Sequence, residues 1–278
     1  MKTPIDHLKS KGFVTMEYPE TLRRPVEIAV KSWKRFCALP IEVKKGLPYS
    51  NGGTGVGYEF KDGVGKNADR KENFDVTIAG QDWIEANVEK IESAAALDFV
   101  RNSTNLVSVL KPLVLDFAEQ VEKVYGLKGF RQEVADSESA YFVRFIHYFG
   151  SKEIGEEIAN AHTDQSGFTL HLYESTPGLQ YLGPKDLAWM NASIEPGKTD
   201  IIPSMQLQLR SNGKLKALCH RVVSTAESVH VGRYSAVCFI QLKNTPKYDK
   251  DKHGRLQERE PGFNYEMPIG EFKKLFKK

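Results

Sequence analysis

Residues 161–167, AHTDQSG, place His162 and Asp164, two residue types that bind metals, one residue apart. Residues two apart in a β-strand project from the same face, so one metal ion could contact both side chains. A third ligand must come from elsewhere, and His220 in the later run CHRVV is the candidate. A His-x-Asp pair alone is weak evidence, because such pairs are usually surface or hydrogen-bonded groups. The ordered set of three residues on strands is far more demanding, and it predicts a metal site.

Two histidines and one carboxylate that leave coordination positions open form the facial triad of non-haem Fe(II) sites. Beyond His220 the chain reads RYS, in which Arg233 and Ser235 share a strand face. A planar guanidinium can hold a carboxylate through two parallel hydrogen bonds, and a serine hydroxyl adds a donor. The alternative is an arginine paired with a surface carboxylate. An unpartnered arginine inside a barrel would be costly, which favours a bound anion.

Residues 138–243 consist of short runs rich in β-branched and aromatic residues, separated by Gly, Pro and Asn, a pattern typical of strands and turns. Since no helical segment intervenes, we expect an antiparallel barrel or a double-sheet jelly roll. The run MQLQLR (205–210) alternates and predicts a strand with Gln206, Gln208 and Arg210 on one face. That face either meets solvent or lines a pocket. Two histidines in apolar strands, His147 and His171, are expected to be packed core residues.

Residues 1–137 are expected to form a mainly helical region packed on this core, giving an α+β protein of one compact unit. Apolar residues recur at helical spacing over 21–39 and 81–126, and Pro112 should break the second stretch. GFVTMEY (12–18) predicts an edge strand. The glycine-rich stretch 48–67 predicts a loop beside a pocket; it lacks the dinucleotide fingerprint because Tyr58 stands where a third glycine is needed. Residues 244–278 are a charged extension that ends in a short lysine-rich helix.

Composition narrows the class of protein. The chain has 278 residues, 40% of them hydrophobic and 27% charged, which suits a globular protein with a sizeable core. A net charge of +3 is too small to indicate nucleic acid, and no apolar run is long enough to span a membrane. The three cysteines lack metal-type spacing, which indicates a reducing compartment. We therefore expect a soluble, cytoplasmic protein without nucleic-acid or membrane partners. A monomer is favoured, and the sequence leaves the oligomeric state open.

The runs AHTDQSGFTLHLYES, PGLQYL, QLRSNGKLKALCHRVV and RYSAVCF resemble the 2-oxoglutarate- and Fe(II)-dependent dioxygenases. The branch is the one that includes isopenicillin N synthase and the plant flavonoid and gibberellin oxidases. The resemblance implies a double-stranded β-helix (jelly-roll) core. It also implies that His162, Asp164 and His220 bind Fe(II), and that Arg233 and Ser235 hold the distal carboxylate of 2-oxoglutarate.

Two departures from the family pattern concern the cosubstrate. Family members often carry an Asn-x-Tyr pair that helps to bind it, and here the matching run is IHY, so Tyr148 is kept while Ile146 replaces the asparagine. Members also tend to have Gly-Asp where this chain has Ser204-Met205. These differences bear on cosubstrate geometry rather than on the metal.

By this resemblance the chain hydroxylates, desaturates or cyclises a small molecule, such as an amino acid or natural-product intermediate, using O₂ and releasing succinate and CO₂. Candidate substrate contacts are Tyr58, Gln206 and Arg210. Residues 50–67 and 244–265 are expected to cover the site. Two alternatives stay open: an iron oxidase of the isopenicillin N synthase type that uses no 2-oxo acid, and a non-catalytic 2-oxoglutarate-binding protein.

Overall fold

The computed structural model describes residues 4–49, 55–63, 70–151, 153–254 and 256. Within these residues the strands are β1 (Val14–Glu17), β2 (Gly57–Asp62), β3 (Arg70–Thr77), β4 (Tyr141–Tyr148), β5 (Glu157–His162), β6 (Phe168–Glu174), β7 (Leu179–Leu182), β8 (Trp189–Asn191), β9 (Lys198–Pro203), β10 (His220–Val223) and β11 (Arg233–Ile240). They form a major sheet in the order β1-β9-β6-β11-β4-β3-β2 and a minor sheet in the order β5-β10-β7-β8. Neighbouring strands run antiparallel.

The described helices are α1 (Leu8–Lys11), α2 (Glu20–Cys37), α3 (Ile41–Lys45), α4 (Gln81–Val88), α5 (Ala94–Val109), α6 (Lys111–Tyr125), α7 (Phe130–Asp136), α8 (Met205–Arg210) and α9 (Lys250–His253). Two 3-10 turns lie at Pro4–His7 and Glu138–Ala140. In the part of the chain that the structure describes, no helix combines the length and the apolar character needed to cross a bilayer.

The two sheets face each other across one layer of apolar side chains, and the helices cover the other face of the major sheet. Residues of β4, β5, β7, β9, β10 and β11 form the inter-sheet cluster. On the helical side, Phe99 of α5 lies 5.2 Å, centroid to centroid, from both Trp33 of α2 and Phe145 of β4. The expected jelly-roll core with helices packed on it is confirmed.

The N-terminal region follows several predictions closely. β1 pairs with β9 at one edge of the major sheet, as GFVTMEY predicted. The helix predicted over 21–39 is α2. The long helical stretch is interrupted near Pro112, because α5 ends at Val109 and α6 begins at Lys111. Proline in a first helical turn costs little, since its missing N–H would have no helical partner there.

The glycine-rich stretch 48–67 was predicted to be loop, and this is wrong for residues 57–62, which form the edge strand β2. β2 pairs with β3, so residues 1–137 supply three strands of the major sheet. Tight backbone contact explains Gly57: its φ is 120°, and a Cβ there would lie 2.4 Å from the carbonyl oxygen of Pro48. Residues 50–54, 64–69 and 257–278, including the predicted C-terminal helix and part of both proposed covers, lie outside the described residues.

The strand predicted over 205–210 is also wrong, because these residues form the helix α8. Residues 205–209 are all buried, so the alternation of Gln and Leu does not separate a wet face from a dry one. The buried amides find partners instead: Gln206 Oε1 accepts from Leu242 N at 2.8 Å, and Gln208 Oε1 accepts from Ala217 N at 2.8 Å. These glutamines anchor neighbouring backbone.

A buried ionic cluster connects β2, β3 and β4 to the helical layer. One carboxylate oxygen of Glu72 accepts hydrogen bonds from Lys44 Nζ and Tyr58 Oη, both at 2.6 Å. The other lies 2.9 Å from Nδ1 of His147, whose ring stacks on Tyr234 with 4.2 Å between centroids. Burial alone would raise the pKa of Glu72, but hydrogen bonds from these three partners lower it to about 2.

This cluster predicts an acid-sensitive contribution to stability. The folded pKa of Glu72 lies below its ordinary value of 4.5, so its contribution is present above pH 4.5 and is lost as the pH falls towards 2. In urea unfolding at pH 7, 4 and 3, the stability advantage of the wild type over Glu72→Gln should shrink by about 2 kcal/mol between pH 7 and pH 3. Glu59→Gln, a partly exposed carboxylate on β2, is the control. A pH-independent difference for Glu72→Gln would contradict the prediction.

Candidate metal centre

The pairing of β5 with β10 brings the two predicted histidine ligands together. His162 is the last residue of β5, His220 is the first residue of β10, and the two are direct partners in the antiparallel register. Their ring centroids are 4.4 Å apart. Asp164 lies beyond the end of β5, so it does not share a strand face with His162 as the sequence suggested. A loop, rather than strand alternation, carries its carboxylate to the histidines.

The three side chains offer a converging set of donors. Asp164 Oδ1 is 3.6 Å from His162 Nε2, and Asp164 Oδ2 is 3.9 Å from His220 Nε2. One donor atom from each residue lies within 4.8 Å of the other two. Donors at these separations can bind one metal ion, and their types match a facial triad.

Hydrogen bonds outside the triad orient its donors. Nδ1 of His162 is 2.6 Å from the carbonyl oxygen of Asn160, and Nδ1 of His220 is 3.3 Å from that of Leu218. Because a carbonyl can only accept, these contacts favour the proton on Nδ1, which leaves Nε2 as the nitrogen that can bind a metal. Thr169 Oγ1 donates to Asp164 Oδ2 at 2.6 Å. Such outer partners fix metal ligands before the metal arrives.

The charge states also suit a metal. Burial lowers the pKa of His220 to about 4, against the opposing effect of Asp164. Burial would raise the pKa of Asp164, but His220, His162 and Thr169 hold it well below its ordinary value. At neutral pH the site therefore presents an ionised carboxylate and, at His220, a neutral imidazole, which are the forms that bind metals.

The triad opens into a cavity of about 290 Å³ between the two sheets, close to the lower size of small-ligand sites. The predicted cosubstrate residues also line it: Tyr148, Arg233 and Ser235. In the register of β11 with β4, Arg233 lies opposite Tyr148 and Ser235 opposite Ile146. The structure thus brings all six predicted metal and cosubstrate residues to one cavity.

Arg233 has a partner that the sequence did not reveal. It is 2% exposed, and its Nη2 lies 2.5 Å from Oε2 of Glu174 at the end of β6. Its Nε is buried and has no hydrogen-bond partner among the described residues. Burial raises the pKa of Glu174, opposed by Arg233, and burial lowers the pKa of Arg233. No local sequence pattern indicated this ion pair, because Glu174 comes close to Arg233 only through the pairing of β6 with β11.

His171 was predicted to be a packed core histidine, yet it lines the cavity. Its ring centroid is 5.5 Å from that of His220. Its Nε2 is buried, and the described part of the chain offers it no hydrogen-bond partner. Burial lowers its pKa to about 3, so a neutral imidazole stands beside the triad. His147, in contrast, lies in the Glu72 cluster, away from the cavity lining.

The three predicted substrate contacts do not line the cavity. Tyr58 bonds to Glu72, and its ring packs against Phe36 of the helical layer. Gln206 caps the backbone of Leu242, as described above. Arg210 Nε donates to Glu133 Oε2 at 2.7 Å, on α7. These polar groups already have structural partners elsewhere in the fold, so none of the three faces the cavity.

A jelly-roll core that brings two histidines and a carboxylate together at one cavity has the donor set of non-haem Fe(II) sites. Residues 139–242 match the family model of the 2OG-Fe(II) oxygenase superfamily. On this match and the fold, residues 139–242 form a domain of that superfamily. The match confirms the resemblance drawn from the sequence motifs.

Individual proteins agree with this assignment. The chain is 32% identical over 118 residues to 1-aminocyclopropane-1-carboxylate oxidase homolog 5 of Arabidopsis thaliana, covering 42% of this chain and 29% of the relative. It is 26% identical over 144 residues to 2-oxoglutarate-dependent dioxygenase 19 of Oryza sativa subsp. japonica, covering 50% and 40%. The matches thus span less than half of either relative.

The fold matches solved structures over nearly the whole chain. Full-length T7H of Neurospora crassa, crystallised in complex with alpha-KG, superposes with a TM-score of 0.75 at 19% identity, covering 96% of this chain and 86% of that one. At this identity the similarity establishes the fold.

If these three residues bind the metal, removing one of them should weaken metal binding, whereas changing a histidine elsewhere should not. In anaerobic calorimetric titration, Asp164→Ala should weaken Fe(II) binding beyond the roughly 10–100-fold that loss of an outer partner costs, because it removes a ligand itself. His230→Ala, which changes an exposed histidine, should bind Fe(II) like the wild type. An unchanged dissociation constant for Asp164→Ala would contradict the assignment.

Proposed function

We propose that this chain is an Fe(II)- and 2-oxoglutarate-dependent oxygenase that oxidises a small molecule. The observation that carries the proposal is the arrangement of His162, Asp164 and His220 in one cavity with the buried Arg233. A metal site and an anion site within one small cavity suit a cosubstrate that has a chelating end and a carboxylate end.

The donor set fits Fe(II). Two imidazole nitrogens and one carboxylate oxygen are the ligands of the facial triad, and they leave positions on the cavity side for other molecules. Asp164 and His220 are 7% and 5% exposed, so the donors are held by the fold. Thr169 limits rotation of the Asp164 carboxylate through its hydrogen bond to Oδ2.

The other end of the cavity fits a carboxylate. Arg233 retains a buried Nε donor without a partner in the described structure, and Ser235 and Tyr148 lie beside it on the same face. These residues would hold the distal carboxylate of 2-oxoglutarate. Ile146 offers only apolar contact there, so Arg233, Ser235 and Tyr148 carry the polar recognition.

When bound, Fe(II) and 2-oxoglutarate supply activation of O₂, with release of succinate and CO₂ and oxidation of a substrate C–H bond. The chain's residues orient the reactants and exclude water. Apolar side chains from both sheets line the cavity: Ile146, Leu179, Ile194, Val222, Val237 and Phe239. They make this side of the centre apolar, which would limit side reactions with solvent.

The substrate is proposed only as a class, a small molecule such as an amino acid or natural-product intermediate. The cavity volume supports this size. Its lining also includes Lys71 and Arg144, which add cationic character. Arg144 is held by Asp75 through two hydrogen bonds of 2.7 Å each.

A second candidate is an iron oxidase that uses no 2-oxo acid. It is favoured by one observation, the carboxylate of Glu174 on Arg233, which gives the arginine a counter-charge without any cosubstrate.

An anaerobic spectroscopic titration separates the two. Adding 2-oxoglutarate to the Fe(II)-loaded protein should produce a weak visible metal-to-ligand absorption band that Arg233→Ala loses, because the distal carboxylate loses its cation. Arg210→Ala, which removes a salt-bridged arginine that does not line the cavity, should keep the band. Succinate release with a screened substrate would follow. Iron binding without the band in the wild type would favour the second candidate.

A further inference from the structure

We infer that Glu174 is an internal competitor for Arg233 and sets which 2-oxo acids the cavity accepts. The inference rests on the proposed function, since it concerns the anion site of the same cavity. It assigns to Glu174 a specificity-determining role that neither the family match nor the motifs carry.

The contact is a buried ion pair, not a surface one. The Arg233 and Glu174 side chains are 2% and 7% exposed, and 2.5 Å separates Nη2 from Oε2. The other carboxylate oxygen of Glu174 lies 3.5 Å from the backbone nitrogen of Ile194. Glu174 therefore occupies Nη2, one of the Arg233 donors that a ligand carboxylate would use, while Nε has no partner among the described residues. A pair at this burial is screened little by solvent.

The backbone of Glu174 is held by strand pairing, whereas its carboxylate is held by Arg233 and by the backbone nitrogen of Ile194. Glu174 pairs in register with Ser235 on β11, so its backbone is held beside the anion site. Its long side chain has several rotatable bonds and only one strong polar partner among the described residues. An incoming carboxylate can therefore replace it without any change in the sheet.

The net charge of the cavity depends on which 2-oxo acid is bound. Fe(II) together with the Asp164 carboxylate leaves one positive charge, and Arg233 and Glu174 cancel. A 2-oxo dicarboxylate adds two negative charges and leaves the buried cavity with one in excess. A 2-oxo monocarboxylate adds one and balances it. Because uncompensated buried charge is costly, Glu174 disfavours the dicarboxylate relative to the monocarboxylate.

Other charged groups at the cavity do not remove this imbalance. Arg144 is already matched by Asp75 in a bidentate pair. His171 is neutral. Lys71 lines the cavity but is partly exposed, so solvent screens its charge more strongly than that of the buried pair. The Glu174 charge is therefore the one that most directly opposes a carboxylate at Arg233.

The test compares two probes that differ at one end. 2-Oxoglutarate carries the distal carboxylate, and 2-oxopentanoate carries a methyl group in its place. Both are titrated anaerobically into Fe(II)-loaded protein, with the visible band as the readout of binding rather than turnover. In Glu174→Gln the preference for 2-oxoglutarate over 2-oxopentanoate should rise about tenfold or more, the scale on which one close charge shifts a buried equilibrium.

Two further variants control the result. Glu174→Ala should raise the same preference, which covers the case in which glutamine binds Arg233 too well. Glu157→Gln removes the carboxylate of the Glu157–Arg221 ion pair, whose charged atoms lie 2.7 Å apart; neither residue lines the cavity, and the preference should not change. An unchanged preference in both Glu174 variants would overturn this inference but not the proposed function. Iron binding with no band from either acid, in wild type and variants, would overturn the proposed use of a 2-oxo acid and the inference with it.

Discussion

The register between β5 and β10 is the constraint on which the site depends. It sets His162 opposite His220, and a slip of one residue would turn a histidine away from its partner. Asp164 completes the set from a loop that α8 holds in place: the backbone nitrogens of Met205 and Gln206 donate to the carbonyl oxygens of Asp164 and Ser166, both at 2.9 Å. The geometry of the donors thus arises from hydrogen bonds that involve no metal, which makes the site preorganised.

The proposed anion site depends on a second strand, β11, in the middle of the major sheet. Its pairing with β4 and β6 places Arg233 and Ser235 on the cavity side and Tyr234 against the Glu72 cluster. A buried guanidinium needs a counter-charge for the fold to be stable, and Glu174 provides it. The same carboxylate lies where a cosubstrate would bind, so folding stability and ligand affinity make opposite demands on one residue.

The sequence predicted the fold class, the helices of the N-terminal region, the edge strand β1 and the gathering of His162, Asp164 and His220. Its errors have a common cause. Residues 205–210 alternate like a half-buried strand, but they form a short helix whose residues 205–209 are buried. Its two glutamines are accommodated by hydrogen bonds to backbone outside the helix. Residues 57–62 form a strand, although the glycines around them indicated a loop. Both cases show local pattern overridden by tertiary packing.

The sequence by itself determined the chemistry of the ligands, because residue type decides which side chains can bind a metal or an anion. The order of these residues along the chain limited which of them were candidates. The tertiary structure alone decided which further groups share the cavity with the predicted residues. Glu174 meets Arg233, and His171 lies beside His220, only through cross-strand registers. Such registers depend on hydrogen bonds between segments far apart in the chain, and no local pattern of residues contains that information.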